Sequence, residues 1–417
     1  MEEEFDNSVI KAGKYVMLRL PSENFKIEKL KENGTVNLGK FGSFRVNDIV
    51  GHPFGFTYEI MGEDKNLRIV ESESEMVDDR DELEPHENNR ELLDDPSVQK
   101  LSTEEIEDLK RKGYSGQEIV DLVIKSHGSF DKKTAFSQEK YLKRKQRKFL
   151  QRFTPEPITS TELIDIYLDK DPIKIQDMSV ESLGLMMSMA DIRPGGTYLV
   201  ADDVSGVVVA ALIERMGGEG CIVCLHESEH PNFDALKYMN CSQELITRMV
   251  KTINWLEYLH PEETEPFESK TEDELKELKP SQRGQYHRKR LRYETYQQVR
   301  ELIDNGKFDA LIVATELHLP TMAPNLIPAI AGSRPVVFYS EFKEKLIELG
   351  HVLQKDYRVM APTMLETRVR KYQTLPGRMH PSMTMRGGGG YVLWGTRVFP
   401  SQVNAVGVRD KKKRKKN

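Results

Sequence analysis

The chain has 417 residues, enough for two or three domains and a sizeable core without disulfide or metal staples. Its charged fraction is 31% and its net charge only -6, which excludes both a uniformly basic nucleic-acid coat and a wholly acidic disordered chain. Three cysteines make no even disulfide framework and point to a reducing compartment; no run of about 18 apolar residues occurs, and MEEEFDNSVI lacks a basic n-region and an apolar h-region, so neither secretion nor membrane spanning is expected.

From Val9 to Val70 short alternating runs (KYVMLRL, FKIEKL, TVNLG, GSFRV, FTYEI) are broken by Pro, Asn-Gly and Gly. That spacing predicts a small antiparallel barrel or sandwich over residues 1–72, with Asn33-Gly34 as a type I′ hairpin turn. Residues 71–95 hold 12 acids against two arginines and cannot bury a core, so 73–100 reads as an acidic linker or excursion.

A helical, basic connector is expected over 101–158. Ser102 with Glu105 and Ser115 with Glu118 have the spacing of capping boxes, and Gly113 and Gly128 stand as stops. The run SQEKYLKRKQRKFLQRF carries seven Lys or Arg and no acid between Lys140 and Arg152, interleaved with Tyr141 and Phe149. Cations mixed with aromatics suit phosphate contacts on RNA, with the aromatics packing or stacking, and a solvated basic helix is the alternative.

From residue 159 to 408 strands alternate with helical patterns: TYLVA, CIVCLHE, DALIVAT and RPVVFYS, with VVVAALIERMG, DALKYM and FKEKLIELG among them. This predicts an α/β domain with a parallel, Rossmann-like sheet, interrupted by acidic and basic inserts near 261–292. Cys221 and Cys224, three apart in a strand, point to opposite faces, which argues against a zinc or redox CxxC. A basic tail follows over 409–417.

The stretch from Gly195 to Glu229 outlines a nucleotide-cofactor site: a strand, a turn, a helix, and a second strand followed by the acid Glu227. A helix N-terminus there offers free N–H groups, glycines let the backbone approach, and the second-strand acid takes ribose hydroxyls. Here the turn reads ADDVSGV. Asp202 and Val204 stand where S-adenosylmethionine sites commonly carry glycine; the valine Cβ blocks close approach, and Asp202 and Asp203 oppose a ligand carboxylate while capping the helix themselves. The degenerate turn Asp202, Asp203, Val204, Gly206 is therefore expected to hold a helix cap and no cofactor. At the end of DALIVAT only Glu316 offers an acid for adenine chemistry. Nearer the C-terminus Arg368, Arg370, Lys371, Arg378, His380 and Arg386 surround Tyr372, Tyr391, Trp394 and four glycines. Such glycines are either linker or backbone in close approach, and the strand-like flanks favour a hairpin or close approach.

Together AFSQEKYLKRKQRKF, the VADDVSG turn and KYQTLPGRMHPSMTMRGGGGYVLWG resemble the non-catalytic subunit of the eukaryotic tRNA (adenine-N1)-methyltransferase acting on the T-loop adenine. The resemblance runs over nearly the whole chain. It implies an N-terminal β-barrel domain, a helical connector and a C-terminal Rossmann-like, methyltransferase-type α/β domain. It further implies a tRNA-binding paralogue of a catalytic subunit that has lost cofactor binding, pairs with that subunit, and assembles as a heterotetramer in the nucleus. Catalytic relatives carry a glycine-rich turn and an Asp-Leu-Pro type motif where this chain has Asp202 to Gly206 and Ala314 to Leu317. Carried onto this chain, the RNA-contacting positions are Lys140, Lys143, Arg144, Lys145, Arg147 and Lys148, with Arg378, His380 and Arg386. Two other readings stay open on residues alone: an active methyltransferase using Glu227 and Glu316, and an assembly scaffold without RNA contact.

Overall fold

The computed structural model describes residues 8–62, 65–70, 101–112, 114–128, 130, 135–228, 230–264, 267–271, 274–275, 278–375 and 378–399. The acidic stretch 73–100, the helix stop at Gly113 and the basic tail 409–417 lie outside them. Two compact units divide the chain: Met1–Ile166 with Ala235–Ser242 and Arg370–Met385, and Tyr167–Asp234 with Gln243–Val369 and Arg386–Asn417.

In the first unit β1 (Tyr15–Arg19) pairs with β2 (Phe25–Lys29), and β3 (Thr35–Asn37) with β4 (Ser43–Arg45); β5 (Tyr58–Met61) pairs with β6 (Asn66–Ile69). The Asn33-Gly34 turn differs from expectation. Gly34 N–H donates to Lys31 O and Asn33 has φ 55°, but the strands on either side pair elsewhere, so it joins two hairpins and closes neither. Val16, Leu18, Phe44, Tyr58 and Phe153 form the core, with the Phe44 and Phe153 rings stacked at 4.1 Å.

Between β6 and the last strand of this sheet come α1 (Thr103–Arg111), α2 (Gly116–Lys125) and α3 (Ala135–Phe149). Both capping boxes form: Glu105 N–H donates to Ser102 Oγ at 3.2 Å and Glu118 N–H to Ser115 Oγ at 3.2 Å, each glutamate accepting from the serine N–H in return. Ile106, Ile119, Val120, Val123 and Phe149 make their shared core. Then β7 (Arg152–Glu156) enters the middle of the antiparallel sheet, giving the order β2-β1-β7-β5-β6. The helical segment is thus an excursion out of the β unit that returns to complete it, rather than a connector leading away.

After α4 (Ser160–Lys170) and α5 (Val180–Met189), the second unit forms a doubly wound sheet. In chain order it has β8 (Thr197–Asp202), α6 (Val207–Met216), β9 (Cys221–His226), then, after the first unit's α7 (Asp234–Tyr238), α8 (Gln243–Met249), β10 (Val250–Asn254), α9 (Trp255–Leu259), α10 (Pro280–Asn305), β11 (Ala310–Ala314), α11 (Leu319–Leu326), β12 (Pro335–Ser340), α12 (Lys343–Lys355) and β13 (Val359–Glu366). The first unit's hairpin, β14 (Tyr372–Leu375) with β15 (Arg378–Pro381), precedes β16 (Tyr391–Arg397). Sheet order is β10-β9-β8-β11-β12-β16-β13, with β16 antiparallel to both neighbours. All five residues of β11 are buried, as helices on both faces of a parallel sheet require. Strand order reverses between β8 and β11, so the crevice beyond their C-terminal ends is the switch point where such sheets bind ligands. The turn from Asp202 to Gly206 lies there.

Candidate nucleic-acid interface and the cofactor turn

Asp202 ends β8 with its carboxylate turned inward. One oxygen accepts from the N–H groups of Val204 (2.9 Å) and Gly206 (3.1 Å), the other from Val209 N–H (2.9 Å) in the first turn of α6. These are donors a ligand's anionic group would take at a helix N-terminus. Burial pushes the Asp202 carboxyl up to about 6, against the pull of its three backbone donors, with Asp203 adding a like charge. The expected cap thus comes from the strand end, four residues before the glycine (φ 79°) that precedes the helix. Val204 is buried, and the Asn232-Phe233 backbone presses on the turn so closely that a Cβ at Gly206 would lie 2.9 Å from Phe233 Cα and 3.1 Å from Asn232 O.

Asp203 turns the other way. Its N–H donates to Ala314 O at 2.9 Å and its carboxylate accepts from the Thr315 hydroxyl, which ties the turn to the loop after β11. Burial raises its carboxyl, and the negative charges of Glu227 and Glu316 add to the rise. The switch-point mouth therefore gathers the carboxylates of Asp203, Glu227 and Glu316 around a turn in which the N–H groups of Asp203, Val204 and Gly206 are bonded within the chain. S-adenosylmethionine, the cofactor such a site holds in methyltransferases, does not fit these residues: its carboxylate would meet Asp202 and Asp203 where it needs N–H groups. Cys224, also in this unit, is buried in β9 while Cys221 is half-buried. Burial raises both thiols, and among the described residues no cluster of three metal-ligating side chains occurs.

The basic run forms α3 and sorts its cations by helical face. Lys140, Lys143, Arg144, Arg147 and Lys148 recur at three- and four-residue spacing and are exposed, while Gln138, Tyr141, Lys145 and Phe149 make the buried face. Lys145 is only 8% exposed, its ammonium 5.0 Å from the Tyr141 ring centroid and 5.7 Å from that of Phe149. It stands apart from the exposed stripe with which it is grouped by sequence. Arg152 also turns inward, to the fully buried Glu59 at 3.4 Å, a carboxylate that Arg68 holds at 2.7 Å. Of the two roles open to Tyr141 and Phe149, packing or stacking, they take packing: both are core side chains. On the stripe, Lys143 pairs with Glu139 at 2.8 Å and Arg147 with Glu23; Arg144 lies 5.4 Å from the Tyr141 centroid and Lys148 5.2 Å from that of Phe149. Exposed pairs of this kind are weak and yield readily to a polyanion.

The C-terminal positions are divided. His380 is exposed on β15, its ring nitrogen 2.8 Å from Pro381 O, and the side chain of Arg378 lies outside the described residues. Arg386 belongs to the second unit, where it binds Asp177 and Leu168 O. The last two glycines of the run make a close approach to the chain itself: a Cβ at Gly389 would collide with Ser179, and one at Gly390 with the Tyr339 ring, whereas Gly387 and Gly388 have open space around them. Gly389 O accepts from Ser182 Oγ and from Ser179 N–H. The flanking segments TRVRKYQTL and YVLWGTRVF do not pair with each other; the first pairs with RMHP and the second enters the main sheet.

Residues 9–282 match the Gcd10p family. The chain belongs to that family. At 45% identity, with 99% of this chain and 92% of the relative covered, it is similar to the tRNA (adenine(58)-N(1))-methyltransferase non-catalytic subunit TRM6 of Debaryomyces hansenii. The same-named protein of Schizosaccharomyces pombe is 32% identical over 98% of this chain and 96% of its own length. A solved S-adenosylmethionine-dependent O-methyltransferase of Thermotoga maritima shares the fold, with TM-score 0.51 at 12% identity over 95% and 97% of the two chains.

Within this Gcd10p-family chain, the turn and the basic run are legible in the sequence, but what completes each is not. Thr315, which holds Asp203, and Glu59, which withdraws Arg152, carry no local motif. The signal available in advance for Lys145 was helical phase: it falls four residues from both Tyr141 and Phe149.

Proposed function

We propose that this chain is a non-catalytic, tRNA-binding subunit that works with a paralogous catalytic subunit to methylate N1 of the T-loop adenine, the position named as adenine 58 in its relatives. The observation that carries this reading is the Asp202 carboxylate, which takes the N–H groups of Val204, Gly206 and Val209. A turn bonded in this way leaves the chain a partner's role, and the exposed stripe on α3 supplies a surface for phosphates. Supporting it further, the curated relatives are named non-catalytic subunits. The heterotetramer and the nuclear location are parts of the same proposal and rest on the family resemblance.

Reconstitution tests it. The chain alone should retain no labelled S-adenosylmethionine in equilibrium dialysis and transfer no methyl group to tRNA, whereas the mixture with its paralogue should do both. Methylation by the chain alone, lost on Glu227→Ala, would establish the active-enzyme reading in its place. On α3, the triple variant Arg144→Glu, Arg147→Glu, Lys148→Glu should weaken tRNA binding by the complex and lower its log–log salt slope by about 2 to 3, at roughly 0.7 to 0.9 for each phosphate that is no longer neutralised. An unchanged slope would favour the scaffold reading.

A further inference from the structure

A second cationic run lies in α10. From Lys279 to Tyr293 the sequence holds six Lys or Arg and no acid. Helix α10 spans Pro280–Asn305, 26 residues, and buries only Tyr286 and Val299. Its C-terminal half packs on the sheet: Tyr296, Val299, Leu302 and Ile303 join the core, and Lys251 of β10 donates to Gln298 at 2.9 Å.

Following that packed face back towards the N-terminus, the stripe Ile303, Val299, Tyr296 continues through Arg292 and Arg288 at four-residue steps, with Lys289 seven residues before Tyr296. All three cations are exposed. The stripe that is apolar where core lies beneath it is cationic where the core stops, so the first half of α10, roughly 20 Å at 1.5 Å per residue, runs past the sheet with charge on its underside. This half is held in place. Phe267 packs on Tyr286 and Tyr293, with ring centroids 5.2 and 5.6 Å apart, and Lys270 N–H donates to the Tyr286 hydroxyl at 3.0 Å. Arg292 pairs with Glu257 of α9 at 3.0 Å and Arg290 with Glu294 at 2.8 Å, whereas Arg288 and Lys289 have no acidic partner among the described residues.

We propose that the N-terminal half of α10 is a second RNA-backbone surface, with Arg288 and Lys289 contacting phosphates. The inference rests on the reading of this chain as a tRNA-binding subunit. A line of cations on an anchored helix, uninterrupted by acids, matches a regular phosphate array better than the scattered carboxylates of a protein surface. Its affinity comes from charge and carries no base preference.

The test uses the full chain in complex with its catalytic paralogue and measures tRNA affinity across 50 to 200 mM salt, the range over which phosphate contacts weaken strongly. Arg288→Glu with Lys289→Glu should weaken binding at least tenfold at the low-salt end and lower the log–log slope by about 1.4 to 1.8. The neutral pair Arg288→Gln with Lys289→Gln should move both in the same direction by less. If both pairs bind like the parent while Arg144→Glu with Lys148→Glu on α3 loses affinity, the α10 surface is refuted and the tRNA-binding reading stands. If the parent complex itself shows no salt-dependent tRNA binding, that reading falls. Weaker binding with an unchanged slope overturns the proposal, as does loss of the catalytic paralogue on co-purification, which would mark α10 as a protein interface.

Discussion

Asp202 shows how one side chain can fill a ligand's place. Its burial and three N–H donors act in opposite directions on the carboxyl, and burial wins, leaving it at about 6. An unfolded Asp titrates near 3.9, so between about pH 4 and 6 the folded chain holds a proton that the unfolded chain releases. The contribution to stability is fully present below about pH 4 and is lost as pH rises through 6. An Asp202→Asn variant removes this dependence. The stability difference between parent and variant, from urea unfolding, should shift against the parent by about 1 kcal/mol between pH 5 and pH 7. Asp202→Ala leaves three buried N–H groups without an acceptor and should cost about 3 kcal/mol or more at either pH. Glu59 poses the mirror case in the first unit. Its fully buried carboxylate neutralises Arg152, whose side chain is 10% exposed, so Glu59→Ala should cost about 3 to 5 kcal/mol.

At the scale of elements, the periodic and local features were legible in the sequence: two capping boxes, the alternation of strands and helices, the basic helix, and a turn with acids where glycines belong. Each depends on residues within about two turns of one another. What was not legible depends on distant partners. Lys145 and Arg152 looked like the other cations of their run because a run has no inside until Phe149 meets Val120 and Glu59 meets β7. Nor does spacing show that β7 pairs with β1 and β5, strands some hundred residues earlier. The glycine run is half legible. Density implied close approach, and the partner is the chain's own Ser179 and Tyr339. Gly390 has φ 83° with the Tyr339 ring against it, so Gly390→Ala should both strain the backbone and overpack, costing about 2 to 4 kcal/mol in urea unfolding. A cost below about 1 kcal/mol would mean the strand start gives way easily.

For the whole molecule, each unit has a buried apolar cluster of its own. One is built on Leu18, Phe44, Tyr58 and Phe153, the other on Leu199, Val223, Leu311 and Phe338. Composition alone indicated room for several domains but not that the helical excursion 101–149 belongs with the β unit, since that follows from where β7 returns. A cluster of its own in each unit predicts separable unfolding, because cooperativity is carried by shared buried surface. Glu59→Ala acts in the first unit and Asp202→Ala in the second. In scanning calorimetry the parent should show two overlapping transitions, with each variant lowering a different one by several degrees, as expected for losses of about 3 kcal/mol in units of this size. If both substitutions lower one and the same transition, the units unfold as a single block. In that case the loss of the cofactor turn's internal bonds would also weaken the surface on α3, and cofactor-turn variants should be impaired in tRNA binding. With independent units, Asp202→Ala should leave the contribution of α3 to the tRNA salt slope unchanged at temperatures below the first transition.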